Sequence, residues 1–274
     1  MASPKRILWL ADSGLEGGAQ LSSDALLDSV RAWASVEYLA PFTDPTYLPD
    51  LFVVQRCQTY PVETIEWLKH APVVTCVRDT WQFGSSKLRA WLLRKSRLLL
   101  FLSAGHLLHF PWETHSEGEI QVCPSPIDVQ ACEEASVRHP LSERDRDVIW
   151  LGALHRGKGI GPAIRWAIDN KRQVDFYGAG PLPPMDSEYV KYKGCVPHAQ
   201  VPDLLAQYRT FLFLPDNYEP LGRSVLEAYA CGCDMEINDS IGATSWFEAT
   251  DRGGYDPATW FWALVKEIAE EETS

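Results

Sequence analysis

Glu219 and Glu227 stand with seven residues between them in the run Glu219-Pro220-Leu221-Gly222-Arg223-Ser224-Val225-Leu226-Glu227-Ala228-Tyr229-Ala230-Cys231-Gly232. An ionised carboxylate accepts hydrogen bonds from several hydroxyls, and a guanidinium grips phosphate oxygens as a fork, so the combination suits a ligand that joins a sugar to an anion. The apolar run ending at Leu214 reads as a strand, and the Pro-containing loop after it carries Glu219. A helix is expected to start near Pro220, with Gly232 just past its end. The amides of Leu221, Gly222 and Arg223 would then be free at a positive helix end that favours phosphate. Arg223 and Glu227 fall one turn apart on a single face. Such a site would hold a sugar nucleotide, with Glu219 on the sugar, Arg223 and the helix start on the diphosphate, and Glu227 on the ribose diol. A surface helix with a capping carboxylate is the ordinary explanation of an isolated pair of glutamates, and the flanking sequence has to separate the two readings.

The elements that would position these residues alternate between apolar runs and longer amphipathic stretches, the pattern of an α/β protein with parallel sheets covered by helices. A first set of strands is expected at 6–11, 51–54, 72–77 and 98–103, with helices over 19–34 and 61–70. The stretch 124–147 contains three prolines and the mixed-charge run Ser142-Glu143-Arg144-Asp145-Arg146-Asp147, and reads as a linker. A second set follows at 148–151, 173–177, 190–193 and 210–214. In the tail, Trp260, Phe261, Leu264, Val265 and Ile268 recur near the helical period. Two Rossmann-like domains are expected, 1–125 and 148–256, joined by a linker at 126–147 and followed by a helix at 257–274 that packs back on the body, with a ligand cleft between the carboxyl ends of the strands.

Composition narrows the classes of function. With 274 residues, 46% of them hydrophobic, and 11 Trp, 10 Tyr and 10 Phe, the chain can bury a substantial core. The net charge of -12 argues against a surface that binds nucleic acid everywhere, though not against a local basic groove. No apolar run approaches the ~20 residues that span a bilayer, and Met1-Ala2-Ser3-Pro4-Lys5-Arg6 leads into a strand rather than a cleavage site. Seven scattered cysteines suit a reducing compartment, and Cys231-Gly232-Cys233 lacks the second pair that structural zinc needs. A soluble cytoplasmic protein is therefore expected. Gly178-Ala179-Gly180 lacks the third glycine of a dinucleotide fingerprint, which argues against NAD. None of the seven histidines has metal-ligand spacing on a clear helix, so core or surface roles are expected for them, with His155 near any bound phosphate.

The pattern E-P-L-G-R-x-x-L-E-A-x-A-x-G resembles the donor-binding signature of retaining glycosyltransferases with the GT-B fold, of the family 4 type. Other segments resemble that family in order, over roughly residues 6–245. Gly17-Gly18-Ala19-Gln20 is similar to its first glycine loop, Leu102-Ser103 to a strand ending in Ser, and Pro124-Ser125-Pro126-Ile127-Asp128 to its crossing loop. Gly152-Ala153-Leu154 through Lys158-Gly159 resembles the G-R-L…K-G loop of the donor domain, and Gly178-Ala179-Gly180-Pro181 and Gly194-Cys195-Val196 resemble its later elements. The resemblance implies two Rossmann-like domains facing each other across a donor cleft, the first holding the acceptor and the second the nucleotide-sugar. It implies donor contacts at Gly17, Gly18, Arg156, Gly178, Val196, Leu221, Gly222 and Glu227, and catalytic roles for Glu219, Asp79, Arg223 and Lys158. Two departures stand out. Ala153 replaces the family's Arg, which leaves Lys158 and Arg156 to neutralise the diphosphate, and Arg78-Asp79 stands where many relatives have a His. Asp79 would receive the acceptor hydroxyl or orient the donor sugar, or else cap the next helix.

The implied chemistry is transfer with retention at the anomeric carbon, needing neither metal nor cofactor. Asp145-Arg146-Asp147 imitates the metal-binding D-x-D of the other major glycosyltransferase fold, but it precedes a strand rather than following one and reads as linker charge. The basic stretch 87–97, with Lys87, Arg89, Arg94 and Lys95, would attract an anionic acceptor such as DNA or a phospholipid surface, or else forms a solvated helix face. Compact viral glycosyltransferases that modify hydroxymethylated DNA bases resemble the chain in size and in the segments 124–128 and 238–243, which makes such a base a candidate acceptor, beside a glycan, lipid or protein hydroxyl. The host cytoplasm would be the compartment of a viral member. The rival readings are a sugar-nucleotide epimerase of the same fold and a catalytically silent nucleotide-sugar binding module.

Overall fold

The structure is a computed structural model that describes residues 4–12, 18–30, 33–56, 58–79, 86–112, 115–180 and 187–271. The chain forms two compact units, one running to Pro126 and resuming at Asp256, the other spanning Ile127–Tyr255. In the first unit the order is β1 (Lys5–Ala11), α1 (Gly18–Asp28), β2 (Ala34–Leu39), β3 (Leu51–Arg56), α2 (Thr64–Leu68), β4 (Val73–Val77), α3 (Ser86–Lys95), β5 (Leu98–Phe101), α4 (Ala104–His109) and β6 (Glu119–Val122). The six strands are parallel, in the order β2-β1-β3-β4-β5-β6.

Alternation along β1 sorts its side chains to opposite faces. Ile7 and Trp9 join Val53, Val74 and Cys76 on one face, while Leu8 and Leu10 join Phe52, Val54, Leu88 and Leu92 on the other. Both faces are apolar because helices cover both, which is why these strands read as continuous hydrophobic runs.

The second unit contains α5 (Val129–Arg138), β7 (Arg146–Leu151), α6 (Ile160–Asn170), β8 (Val174–Tyr177), β9 (Val190–Gly194), α7 (Val201–Leu205), β10 (Tyr208–Phe213), α8 (Arg223–Ala230), β11 (Asp234–Ile237) and α9 (Phe247–Asp251). Its parallel sheet has the order β11-β10-β7-β8-β9. Trp150 on the central strand lies between Phe176 and Phe213, with ring centroids 5.7 and 6.0 Å away. The chain then returns to the first unit as α10 (Pro257–Glu271), where Phe261, Trp262, Val265 and Ile268 close the face that holds Trp9. The Trp262 Nε1–H donates to the Leu26 carbonyl at 2.8 Å, so the indole is buried with its polar atom satisfied.

The structure departs from the sequence reading at four places. The helix expected over 19–34 ends at Asp28, and Ala34 opens β2, a half-exposed edge strand whose polar alternation hid it. The strand before Arg78 is consequently the fourth and not the third. Only Thr64–Leu68 of the stretch 61–70 is α-helical. The stretch read as a linker carries α5, capped by Asp128 Oδ1 accepting from the Ala131 amide at 2.9 Å. Its buried face is built from Cys132 and Ala135, too small to register as a hydrophobic stripe. The edge strands β6 and β11, with Glu119 and Gln121 or Asp234 and Glu236 in alternate positions, were unread for the same reason as β2. Among the described residues no helix is long and apolar enough to cross a membrane.

Trp262→Ala should destabilise the first unit by about 3–5 kcal/mol, the range for emptying a buried aromatic site. Urea unfolding followed by circular dichroism measures this, and a loss below about 1 kcal/mol would show that α10 is not part of that core.

Candidate functional site

In the second sheet β7 is followed on one side by β8 and β9 and on the other by β10 and β11, so the strand order reverses between β7 and β10. Loops leaving neighbouring strands at such a switch point diverge and open a crevice beyond the carboxyl ends. Several of the residues singled out in the sequence lie on these loops. Lys158, after β7, forms an ion pair with Glu219, which lies after β10, and the two are part-buried with 31% and 13% of their side chains exposed. Glu219 is held through its backbone: its N–H donates to Ser240 O at 2.8 Å and its carbonyl accepts from Gly242 N at 2.9 Å. The Asn238 side-chain amide donates to Pro215 O at 3.1 Å and fixes the beginning of the same loop.

Two helices start beside this pair without a capping side chain among the described residues. Gly159 precedes α6 and Gly222 precedes α8, both with positive φ, 75° and 76°. The α8 start is thus at Arg223, three residues later than Pro220, because Gly222 adopts a left-handed conformation that breaks the helix ahead of it. The amides opening the helix are accordingly those of Arg223 and Ser224. At Gly159 a β-carbon would sit 2.0 Å from the Leu214 carbonyl oxygen, and at Gly178 (φ 140°) 1.7 Å from that of Gly152. Both glycines let the loops after β7, β8 and β10 pass closer than any side chain permits.

On α8, Glu227 is 5% exposed. Its Oε1 receives His198 Nε2 at 3.0 Å and Arg223 Nη2 at 3.4 Å. Burial alone pushes this carboxyl up, but the His198 hydrogen bond and the Arg223 charge outweigh it and hold the group below its ordinary value. The far end of α8 is anchored by Arg144, itself 3% exposed, whose guanidinium donates to Cys231 O at 2.6 Å and Tyr208 O at 2.8 Å. His198 and Arg144 were not among the expected site residues. The sequence offered only a lone His after Val-Pro and an Arg inside a charge run, since both act through contacts distant in the chain.

The remaining expected residues fall as follows. Gly178 follows β8, and Val196 is half-buried in the loop after β9, two residues before His198. Leu221 is 2% exposed and leads into Gly222. Arg156 shares a 3-10 turn with Lys158, but its side chain lies outside the described residues, as does Gly17. Gly18 begins α1. Asp79 follows β4 in the first unit, where its neighbour Arg78 donates to Ser125 Oγ at 2.7 Å. On α3, Lys87 is exposed, while Arg94 and Lys95 share Glu117 at 2.7 and 2.5 Å. Arg89 is 6% exposed beneath the Phe110 ring. Among the described residues, no group of three or more His, Cys, Asp or Glu side chains is placed to hold a metal ion.

Two parallel Rossmann-like sheets of this kind, with surrounding helices, make this a GT-B fold, shared over nearly the whole chain by solved structures. One is Anabaena Alr3699/HepE in complex with UDP and glucose, with a TM-score of 0.65 and 18% identity over 88% of this chain and 82% of that one. Trehalose-6-phosphate synthase OtsA gives a TM-score of 0.66 with 9% identity over 97% and 99%. An alpha-glucosyltransferase in complex with UDP-glucose and DNA containing an abasic site gives 0.59 with 14% identity over 97% and 93%. No protein-family model and no curated protein matches the chain.

The depressed Glu227 carboxyl sets a pH dependence. A group whose folded pKa lies below its unfolded one stabilises fully above the unfolded value and loses that contribution as pH falls through the folded value. Wild type should exceed Glu227→Gln in stability by about 1–3 kcal/mol at pH 7, with the gap closing below about pH 4. Urea titrations of both proteins from pH 7 to pH 3 measure it, and a constant gap would remove the buried ion pair from the account.

Proposed function

We propose that the chain is a retaining glycosyltransferase that moves a sugar from a nucleoside diphosphate sugar to an acceptor hydroxyl. The observation that carries this is the row Lys158, Glu219, Arg223 and Glu227 beside two uncapped helix starts at the switch point of the second sheet. UDP is the nucleotide to test first, because two of the similar solved structures hold UDP or UDP-glucose. The two helix starts, Arg223 and Lys158 stabilise the charge that grows on the diphosphate as the anomeric C–O bond to phosphate breaks. Glu219 accepts from a sugar hydroxyl and Glu227 from the ribose. The acceptor oxygen bonds to the anomeric carbon from the face the phosphate leaves, and its proton passes to the departing phosphate oxygen. No step in this scheme calls on a metal. Gly17, Gly18, Arg156, Gly178, Val196, Leu221 and Gly222 complete the donor contacts.

The first unit supplies the acceptor side, with Asp79 orienting the attacking hydroxyl. The similar glucosyltransferase in complex with DNA supports DNA as the acceptor, and a hydroxymethylated base is the hydroxyl it would offer. Against it, Arg94 and Lys95 are shared by Glu117 and Arg97 meets Glu271, so the stretch 87–97 offers DNA phosphates less charge than its sequence suggests. A glycan, lipid or protein hydroxyl, met in the cytoplasm, fits the net charge of -12 better.

Thermal-shift screening against common nucleotide-sugars identifies the donor, and incubation with donor alone separates transfer and slow hydrolysis from epimerisation. With that donor, Glu227→Ala should weaken binding about tenfold, and Glu219→Ala should lower turnover about 100-fold with little change in binding. Unchanged kinetics in both variants would remove the assignment, and a Glu219→Ala effect on affinity alone would point to a silent binding module.

A further inference from the structure

Glu227 has two demands placed on it that conflict. To accept from a ribose diol it must stay ionised with an oxygen open, yet only 7% of its side chain is exposed, and a lone carboxylate so placed would take up a proton. Arg223, one turn earlier, is the nearest cation on its own helix. Its Nη2 lies 3.4 Å from Oε1, a long contact, and the same guanidinium is required by the diphosphate.

His198 removes the conflict. It follows Pro197 and opens the short turn leading into α7, which packs beside α8 and so brings the imidazole to Glu227. Its Nε2 stands 3.0 Å from Oε1, closer than the guanidinium. Arg223 Nη2 lies 3.3 Å from that same nitrogen, so a proton on Nε2 belongs on the line to the carboxylate and not toward the cation. Both contacts end on Oε1, and Oε2 accepts from no described residue. The carboxylate is thereby fixed in rotation with one oxygen engaged and the other available.

We propose that His198 is a positioning residue for the donor nucleoside. By donating to Oε1 it keeps Glu227 ionised, aims Oε2 at the ribose hydroxyls and leaves Arg223 to the phosphates. The site thereby selects ribonucleoside over 2′-deoxyribonucleoside diphosphates. This rests on the donor-site reading above. With 39% of its side chain exposed, His198 can be replaced without opening the core.

Calorimetric titration of the full chain tests it, using whichever of UDP, GDP and ADP binds wild type most tightly together with its 2′-deoxy counterpart. His198→Ala should weaken the ribonucleotide about tenfold and the deoxynucleotide less than about twofold. His198→Gln, whose amide N–H can take the place of Nε2–H, should recover most of the difference. Turnover at saturating nucleotide-sugar should fall less than about threefold in His198→Ala, so the change appears in KM. Equal loss for both nucleotides, or unchanged affinity, overturns the role of His198. In that case lost discrimination in Glu227→Ala still upholds the donor site. If wild type binds none of the three diphosphates, both readings fall together.

Discussion

A helix that begins without a capping side chain leaves its first N–H groups to be satisfied by something other than its own N-cap, and α8 begins in that way at Gly222. A Ser, Asp or Asn at position 222 would satisfy those amides internally. A glycine with φ of 76° turns the chain instead and supplies no oxygen. Under the proposed function an anionic ligand takes that place, and the surrounding structure leaves the cap position to it. Leu221 is packed away, the loop carrying Glu219 is tied to 240–242 by its own backbone, and Arg144 secures the helix at its other end. None of these contacts uses the amides themselves.

Charge follows the same logic. Lys158 and Glu219 neutralise each other across the switch point, as Arg223 does for Glu227, to which His198 adds a hydrogen bond. Each carboxylate thus has a cation beside it, and at Glu227 the His198 hydrogen bond and the Arg223 charge hold the buried carboxyl below its ordinary value. The arrangement is local to one unit, since the strands β7, β9 and β10 and the helix α8 that carry it belong to a single sheet and its connections.

How much of this was legible in the sequence depends on how far each contact reaches along the chain. Central strands were read correctly because burial on both faces makes them continuously apolar, as in Leu98-Leu99-Leu100-Phe101 and Thr210-Phe211-Leu212-Phe213. Of the edge strands only β9 was read; Ala34–Leu39, Glu119–Val122 and Asp234–Ile237 were missed, since they are largely exposed and mix polar with apolar positions. Glu219, Arg223 and Glu227 were visible as one short run. The pairing of Lys158 with Glu219 joins residues 61 positions apart, and that of His198 with Glu227 joins residues 29 apart, so spacing could not reveal them. The helix boundary at Arg223 was missed because Pro220 is an acceptable first-turn residue, and only the backbone shows that Gly222 interrupts it.

The return of α10 to the first unit has a consequence for how the protein is made. During synthesis the face bearing Trp9, Val53, Val74 and Cys76 emerges early, but Phe261, Trp262 and Val265, which shield it, emerge only after the whole second unit. The second unit is continuous from Ile127 to Tyr255 and has every strand it needs before then. The first unit of a nascent chain therefore carries an uncovered apolar surface until α10 has emerged, a window in which chaperone capture competes with closure.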